Sequence, residues 1–275
     1  MRSIKDALGH RFGDFTHAVD PGISEHPGLK ALANRGVVRR FKPEPLTPDL
    51  LATLCALALS SPTKSDMQQR DIMIVEDAGK RARINALLAE QDWIPGAPHL
   101  LIFLGNNRRQ RQVHEWRGHA FANDHLDAFF NAAVDAGIAL SAFALAAEMV
   151  GVGTCPISVI RNHAEEVSRM LELPDHVFPM AGLGVGWPSA PSNISARLPL
   201  AATVHRDRFA DCTRATVDAY DRRRNGIFPY RQQRNVATFG QSADYGWSEE
   251  KARQYAVPER ADFGAFVKRK GFRLE

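Results

Sequence analysis

The sequence predicts a layered fold that combines helices with a sheet, of the α+β or α/β type. Three observations carry that expectation. "APHLLIFLG" (97–105) is a continuous apolar run of strand length, as in a central strand covered on both faces. "DIMIVED" (71–77) and "FPMAGLGVGWP" (178–188) also read as strands. The most apolar long stretch, Ala128 to Val150, is interrupted by Asn131, Asp135 and Glu148. It reads as a buried helix that needs cover on most sides, part of which a subunit partner could supply.

The remaining elements follow from local signals. Residues 1–30 read as an arm, with a breaker-rich loop at "VDPGISEHPG" (19–28) and a short helix "LKALANRG" that stops at Gly36. "RRFKPEPL" (39–46) is held extended by its prolines. "TPDLLATLCALALS" (47–60) is a helix: Thr47 can cap it, Pro48 suits the first helical position, and Asp49 favours the positive end. "AGKRARINALLAE" (78–90) reads as helix, and the polar "NNRRQRQVHEWRGH" (106–119) as surface loop. "NHAEEVSRMLEL" (162–173) reads as a helix capped by Asn162. Beyond Leu198 the periodicity weakens, although "DCTRATVDAYDRRR" (211–224) and "WSEEKARQYA" (247–256) look helical. The expected organisation is an arm (1–30), a core (31–205) and a helical C-terminal extension (206–275) packing on the core or on a partner subunit.

Composition narrows the class. The chain has 275 residues, 44% hydrophobic and 24% charged, with a formal net charge of +4. That is a globular composition. The charge is uneven: from Arg197 onward there are 16 Lys+Arg against 10 Asp+Glu. Such an excess attracts nucleic acid or a small anion, or simply forms a solvated surface. Cys55, Cys155 and Cys212 are widely spaced and form no CxxC. Neither structural disulfides nor a zinc site is expected, and a reducing cytoplasm fits.

Several motifs are weighed and set aside. Gly182-Leu-Gly184-Val-Gly186 fails the GxGxxG spacing, so it reads as a strand approached closely by another backbone or a flat ligand. His114, His119 and His125 do not fall on one helix face, and no metal is expected. No GxSxG elbow occurs. Two features remain. Arg35, Arg39 and Arg40 sit before Phe41 in a segment that must pack, and a guanidinium fork suits a phosphate. "SSPTKSDMQQ" (60–69) places three serines, a threonine, a lysine and two glutamines at one helix-to-strand junction. A plain turn does not need so many hydrogen-bonding groups.

Taken together, "RRFKPEPLTPDLLATLCALALSSPTKSDMQQRDIMIVED", "DAGIALSAFALAAEMVGVGTCPIS", "VSRMLELPDHVFPMAGLGVGWP" and "ARLPLAATVH" resemble, in that order, the FMN-dependent nitroreductase family. The C-terminal part is similar to its larger oxygen-insensitive nitroreductase and flavin reductase branch. The resemblance covers residues 35 to about 205 and leaves 1–30 uncovered. It implies an α+β fold with a mostly antiparallel sheet flanked by helices, a long buried central helix, and a homodimer. It implies FMN as cofactor, NAD(P)H as donor with NADPH favoured, and a small aromatic substrate (a nitroaromatic, a quinone or a relative) reduced by ping-pong hydride transfer through flavin N5. Carried over by position, Arg35 or Arg39 together with Arg197 hold the FMN phosphate. Thr63, Ser65 and Gln68 contact ribityl and ring. Gln91, Asp92 and Trp93 form a further flavin-contacting loop, and Pro156, Ile157 and Ser158 line the flavin. No side chain is expected to be catalytic in its own right; Lys64 and Gln68 are candidates to support the charge of the reduced ring. Arg222, Arg223, Arg224, Arg231 and Arg234 are candidates for the dinucleotide phosphates. This chain has Ser195 where the family commonly has a lysine, and Ser158-Val159 where it often has glycine. Reductive removal of a substituent or reduction of an activated ring is an alternative on the same fold. A basic nucleic-acid-binding protein is the alternative of another class, but no aromatic-interleaved motif accompanies the charge, so neither nucleic acid nor membrane is an expected partner.

Overall fold

Thr47 opens its helix as the sequence directs, its hydroxyl accepting the Leu50 N–H at 3.3 Å with Pro48 in the first turn. The computed structural model describes residues 1–275. In chain order the elements are α1 (Ile4–Phe12), α2 (Pro27–Asn34), α3 (Pro48–Leu59), β1 (Arg70–Ile74), α4 (Ala78–Leu87), β2 (His99–Asn106), α5 (Arg108–Arg117) and α6 (Leu126–Met149). There follow β3 (Gly153–Ile157), α7 (Ala164–Met170), β4 (Val177–Gly186), α8 (Arg214–Ile227), α9 (Val236–Phe239), α10 (Trp247–Tyr255) and α11 (Phe263–Arg269).

The four strands form one sheet in the order β1-β2-β4-β3, with every pairing antiparallel. The chain is therefore α+β. β2 is central, and its unbroken apolar run serves both faces. Leu100, Ile102 and Leu104 face a core shared with Ile84, Ile160 and Val167. Leu101 and Phe103 face a second core with Leu54, Ala139, Phe143, Leu183 and Val185, which belong to α3, α6 and β4.

α6 packs on the sheet through small residues, Ala132, Ala136 and Ala139, all fully buried. Its other face leaves Leu126, Phe130 and Val134 exposed at intervals of one turn. Within one chain the long helix is thus buried on one side, not all round. Its length and hydropathy would allow it to cross a membrane; its packing here is that of a core helix.

The chain divides into two compact units, Met1–Gly36 with Asn193–Glu259, and Val37–Ser192 with Arg260–Glu275. These boundaries differ from those expected, and packing explains the difference. In the first unit the arm is fastened in place. Buried Arg11 donates to the carbonyls of Ser195, Ala33 and Arg35, and Asp14 accepts the N–H groups of Leu200 and Ala201. In the second unit the last residues join the sheet. Phe266 and Phe272 share a cluster with Phe178, and Lys270 Nζ donates to Leu173 O at 2.7 Å.

Two local expectations are corrected. Residues 108–117 form helix α5, not a loop. Gly118 ends it in the left-handed region at φ 68°, and Arg111 ties it to Asp124. Asn162 does not cap α7. It lies inside a 3₁₀ segment spanning Ser158–His163, and its side-chain oxygen accepts from Arg260 at 3.0 Å.

His99 links the start of α3 to β2. Its Nε2 accepts the Leu46 N–H at 2.9 Å, which requires a lone pair there and hence a neutral ring. Burial, then the Arg81 charge, push its pKa below the ordinary value of 6.5, with Glu76 opposing. His10 and His176 are lowered too, mainly by burial. Each contributes stability that is complete above the unfolded pKa and is lost as pH falls through the lowered folded value. The denaturant midpoint is expected to fall between pH 7.5 and 5.5, and less steeply in His99→Gln, which keeps an acceptor that does not titrate. A variant with an unchanged pH profile would remove His99 from this account.

Candidate functional site

The polar junction after α3 divides into two parts. Ser60 and Ser61 end the helix, their hydroxyls donating to the carbonyls of Ala56 and Ala58. The loop that follows has an unusual backbone. Ser65, Asp66 and Gln68 all take positive φ, at 49°, 55° and 53°. Non-glycine residues there carry strain of about 1–3 kcal/mol each and persist only where their surroundings fix them.

Asp135 fixes them. It lies on the sheet-facing side of α6 and is 0% exposed. Oδ1 accepts the Lys64 N–H and Oδ2 accepts the Gln69 N–H, both at 3.0 Å. The loop is therefore clamped at both ends by one carboxylate. Further contacts hold its exit. Asn107 Nδ2 donates to Gln69 Oε1 at 2.7 Å. Arg109 donates to Gln68 O at 2.6 Å and pairs with Asp71 at 2.5 Å. Arg70 Nη2 donates to Leu59 O and Ser61 O. With the backbone so held, Lys64, Ser65 and Gln68 present exposed side chains, and Thr63 a partly exposed one. Thr63 Oγ1 accepts the Gln68 N–H at 3.4 Å.

The other predicted residues lie elsewhere. Pro156 and Ser158 are exposed at β3, the opposite edge of the sheet from β1. Proline suits an edge, where its missing N–H breaks no ladder. Ile157 between them is buried in the core and presents no side chain to a ligand. Arg39 is exposed and lies beside Cys155, whose thiol burial pushes up to about 11 while Arg39 opposes the shift. Asp92 is exposed. Trp93 is partly buried and packs on the sheet, its Nε1 donating to Gln91 Oε1 at 3.3 Å. A Cβ on Gly184 would stand 2.8 Å from the Trp93 ring, and one on Gly186 2.6 Å from Pro98. The glycines of β4 thus admit the chain's own side chains, where a ligand or a second backbone was expected. Arg35 and Arg197 belong to the first unit. Arg197 donates its backbone N–H to Arg11 O at 2.7 Å and Nη1 to Ala196 O at 3.1 Å.

One chain therefore does not bring the loop and the β3 edge together. β1 and β3 are separated by β2 and β4, three strand spacings or about 14 Å, and their outer edges point away from each other; on the β3 side Val38 N–H donates to Thr154 O at 3.0 Å.

Two regions of the chain match family models: "Nitroreductase family" over residues 32–187 and "Nitroreductase family, C-terminal domain" over 195–275. The chain belongs to the nitroreductase family. It is 29% identical over 253 residues to the FMN reductase [NAD(P)H] of Bacillus subtilis, covering 90% of this chain and 98% of that protein. It is 28% identical to the oxygen-insensitive NADPH nitroreductase of Salmonella typhimurium, covering 71% of this chain and 80% of that protein. Among solved structures it resembles that of NfrA2 from B. megaterium, with a TM-score of 0.82 and 30% identity over 91% of this chain and 99% of the other.

The exposed residues fit the flavin that a nitroreductase implies. Hydroxyl, amide and ammonium groups on a fixed loop suit a flat polar heterocycle. At the loop's base Arg70 is buried, with Nη2 on the carbonyls of Leu59 and Ser61, so it supports the loop from beneath. The sequence reading missed Asp135, Arg70 and Arg109. Asp135 had one signal, a lone carboxylate in the most apolar helix.

Asp135→Asn keeps the shape but can accept at only one side-chain atom, so one amide of the loop loses its partner. The variant is expected to lose about 1.5–3 kcal/mol in urea unfolding and to bind FMN at least tenfold more weakly in a fluorescence titration. Native FMN affinity in the variant would show that the clamp does not order the site.

Proposed function

We propose that the chain is an FMN-dependent NAD(P)H oxidoreductase that reduces nitroaromatic, quinone or related aromatic acceptors. The observation that carries this reading is the loop 63–68, held rigid by Asp135 and presenting polar side chains, in a chain of the nitroreductase family. When bound, FMN supplies hydride acceptance and return at N5, and the protein supplies binding, orientation and electrostatics. Gln68 and Lys64 are the donors offered to the negative charge of the reduced ring. Thr63 and Ser65 offer hydroxyls to ribityl and ring. Arg39, in the same unit as the loop, is the first candidate for the phosphate, with Arg197 as the second.

The working unit is a homodimer, in which the loop of one protomer meets the β3 edge (Pro156, Ser158) of the other. Two features support it: the opposed edges of the sheet, and the exposed apolar row Leu126, Phe130 and Val134 on α6 with Leu57 and Leu59 on α3. Donor and acceptor occupy one site in turn, which is the basis of ping-pong kinetics.

The arginines assigned to the donor's phosphates are largely committed elsewhere. Arg223 donates to the carbonyls of His10, Arg11 and Arg197. Arg224 lies 3.9 Å over the Tyr230 ring, and Arg234 pairs with Glu250 at 3.0 Å. Arg222 and Arg231 remain exposed and are the candidates for an NADPH phosphate. The same commitments weaken the nucleic-acid reading, because the basic excess does not form an open stripe.

The purified protein is expected to be yellow, to bleach under NADPH, and to give parallel double-reciprocal lines with a quinone acceptor. Gln68→Leu is expected to lower FMN affinity and kcat at least tenfold without altering the fold. A colourless protein that neither binds added FMN nor oxidises NADPH would overturn the proposal, and full activity in Gln68→Leu would remove that residue from it.

A further inference from the structure

Gln68 is one of the two donors that the oxidoreductase reading offers to the reduced ring, yet its own hold is uneven. Asp135 fixes the amides at positions 64 and 69. The Gln68 N–H reaches Thr63 Oγ1 at 3.4 Å, beyond the usual range of such bonds. Its φ of 53° lies in the left-handed region, which a glutamine keeps where its surroundings impose it. Its side-chain Nε2 donates to Asp66 Oδ1 at 3.2 Å, and an amide nitrogen has a second hydrogen to offer. Where that hydrogen points depends on the peptide that carries the side chain.

Arg109 completes the hold. Its Nη1 donates to Gln68 O at 2.6 Å. The N–H on the other side of the same peptide, that of Gln69, donates to Asp135 Oδ2 at 3.0 Å. The planar 68–69 peptide is thus held at both of its polar atoms, from α5 and from α6, and cannot turn without breaking one of the two bonds. Arg109 is itself placed by a closed set of contacts. Nη2 pairs with Asp71 Oδ1 at 2.5 Å, Asp71 Oδ2 accepts from Asn106 Nδ2, and Asn106 Oδ1 accepts the Arg109 backbone N–H at 3.2 Å. β1, β2 and the first turn of α5 therefore meet at this arginine. A planar fork fixes the direction of both bonds, which an ammonium does not. Asp71 also offsets the guanidinium charge, so the contact orients the peptide with little net charge added beside it.

We propose, on the oxidoreductase reading above, that Arg109 is a positioning residue for the flavin chemistry. Held by Asp71 and Asn106, it fixes the 68–69 peptide so that the Gln68 side-chain amide is aimed at the reduced ring. A donor aimed at charge that develops on reduction favours the reduced flavin over the oxidised one. Loss of aim therefore lowers the reduction potential of bound FMN, whereas loss of loop structure weakens both redox states alike.

The test uses the full-length, FMN-loaded protein. Arg109→Gln is expected to slow flavin reduction by NADPH at least fivefold in anaerobic rapid mixing. It is also expected to weaken reduced FMN about tenfold more than oxidised FMN, a fall of about 30 mV for a two-electron couple. Arg109→Lys, which keeps the charge and loses the fork, carries the same measurements should Arg109→Gln not hold flavin. In a Gln68→Leu background the Arg109 change is expected to alter neither quantity, because nothing is left to aim. Three results would overturn the proposal. These are equal weakening of oxidised and reduced FMN, which would make Arg109 a structural prop; an undiminished effect in the Gln68→Leu background, which would make it act through its charge; or a native rate and potential in the Arg109 variant. Each is read against parent protein that holds FMN and oxidises NADPH, so these results leave the oxidoreductase reading standing, whereas a parent protein that does neither removes both.

Discussion

One buried carboxylate organises the polar side of this fold. Asp135 sits in the middle of an apolar helix with no exposure to solvent, where an unpartnered carboxylate would carry a large desolvation cost. It is tolerated because each oxygen accepts a backbone N–H from the loop before β1. The dependence is mutual. The loop contains three residues in the left-handed region, of which Asp66 alone is of a type that favours that conformation. The helix supplies the constraint, and the loop supplies the hydrogen bonds that make the helix's charge acceptable. Alanines at 132, 136 and 139 let the helix lie close to the sheet, so the short aspartate side chain can reach the loop.

The arginines show the difference between charge and available charge. The sequence after residue 196 is basic, yet much of that charge has a structural use. Arg223 gathers three carbonyls, Arg224 covers a tyrosine ring, and Arg253 is buried with Glu249 and the carbonyls of Arg234 and Gly240. A guanidinium can satisfy several backbone acceptors at once, which suits a region with little regular structure to satisfy them otherwise. The arm is held in the same way, so residues 1–30 form an integral part of their unit. Net charge left this region as either a binding surface or a solvated face; the geometry makes much of it internal scaffolding.

What the sequence made legible is what local chemistry determines. The cap at Thr47, the apolar run of β2 and the long helix each rest on signals within a dozen or so residues. The polar loop 60–69 stood out as a candidate because its composition exceeded what a turn requires. Helix α5 was not, because "RRQRQVHEWR" has no apolar period; its ends are set by a left-handed glycine and by an ion pair to a residue beyond it. The role of Asp135 was hidden for a different reason. Its partners are 71 and 66 residues away, and nothing local distinguishes a clamp from an interruption. Trp93 and Ile157 were carried over to the site by position from the family resemblance; packing on the glycine strand and in the core takes those two side chains inward.

The order of the sheet bears on the homodimer proposed above. It sets β1 and β3 at opposite edges, and strand spacing keeps them about 14 Å apart. The fixed loop leads into one edge; exposed Pro156 and Ser158 sit at the other. A planar ring that touches both sets needs them face to face, and edges of one sheet face apart. Two copies related by a twofold axis can oppose the loop of one to the edge of the other, and do so twice. Such a pairing needs an apolar surface that one chain leaves uncovered, and the turn-spaced row Leu126, Phe130 and Val134 on α6 provides it. On this geometry the helix that carries Asp135 serves both requirements, fixing the loop with its inner face and offering its outer face to a second chain.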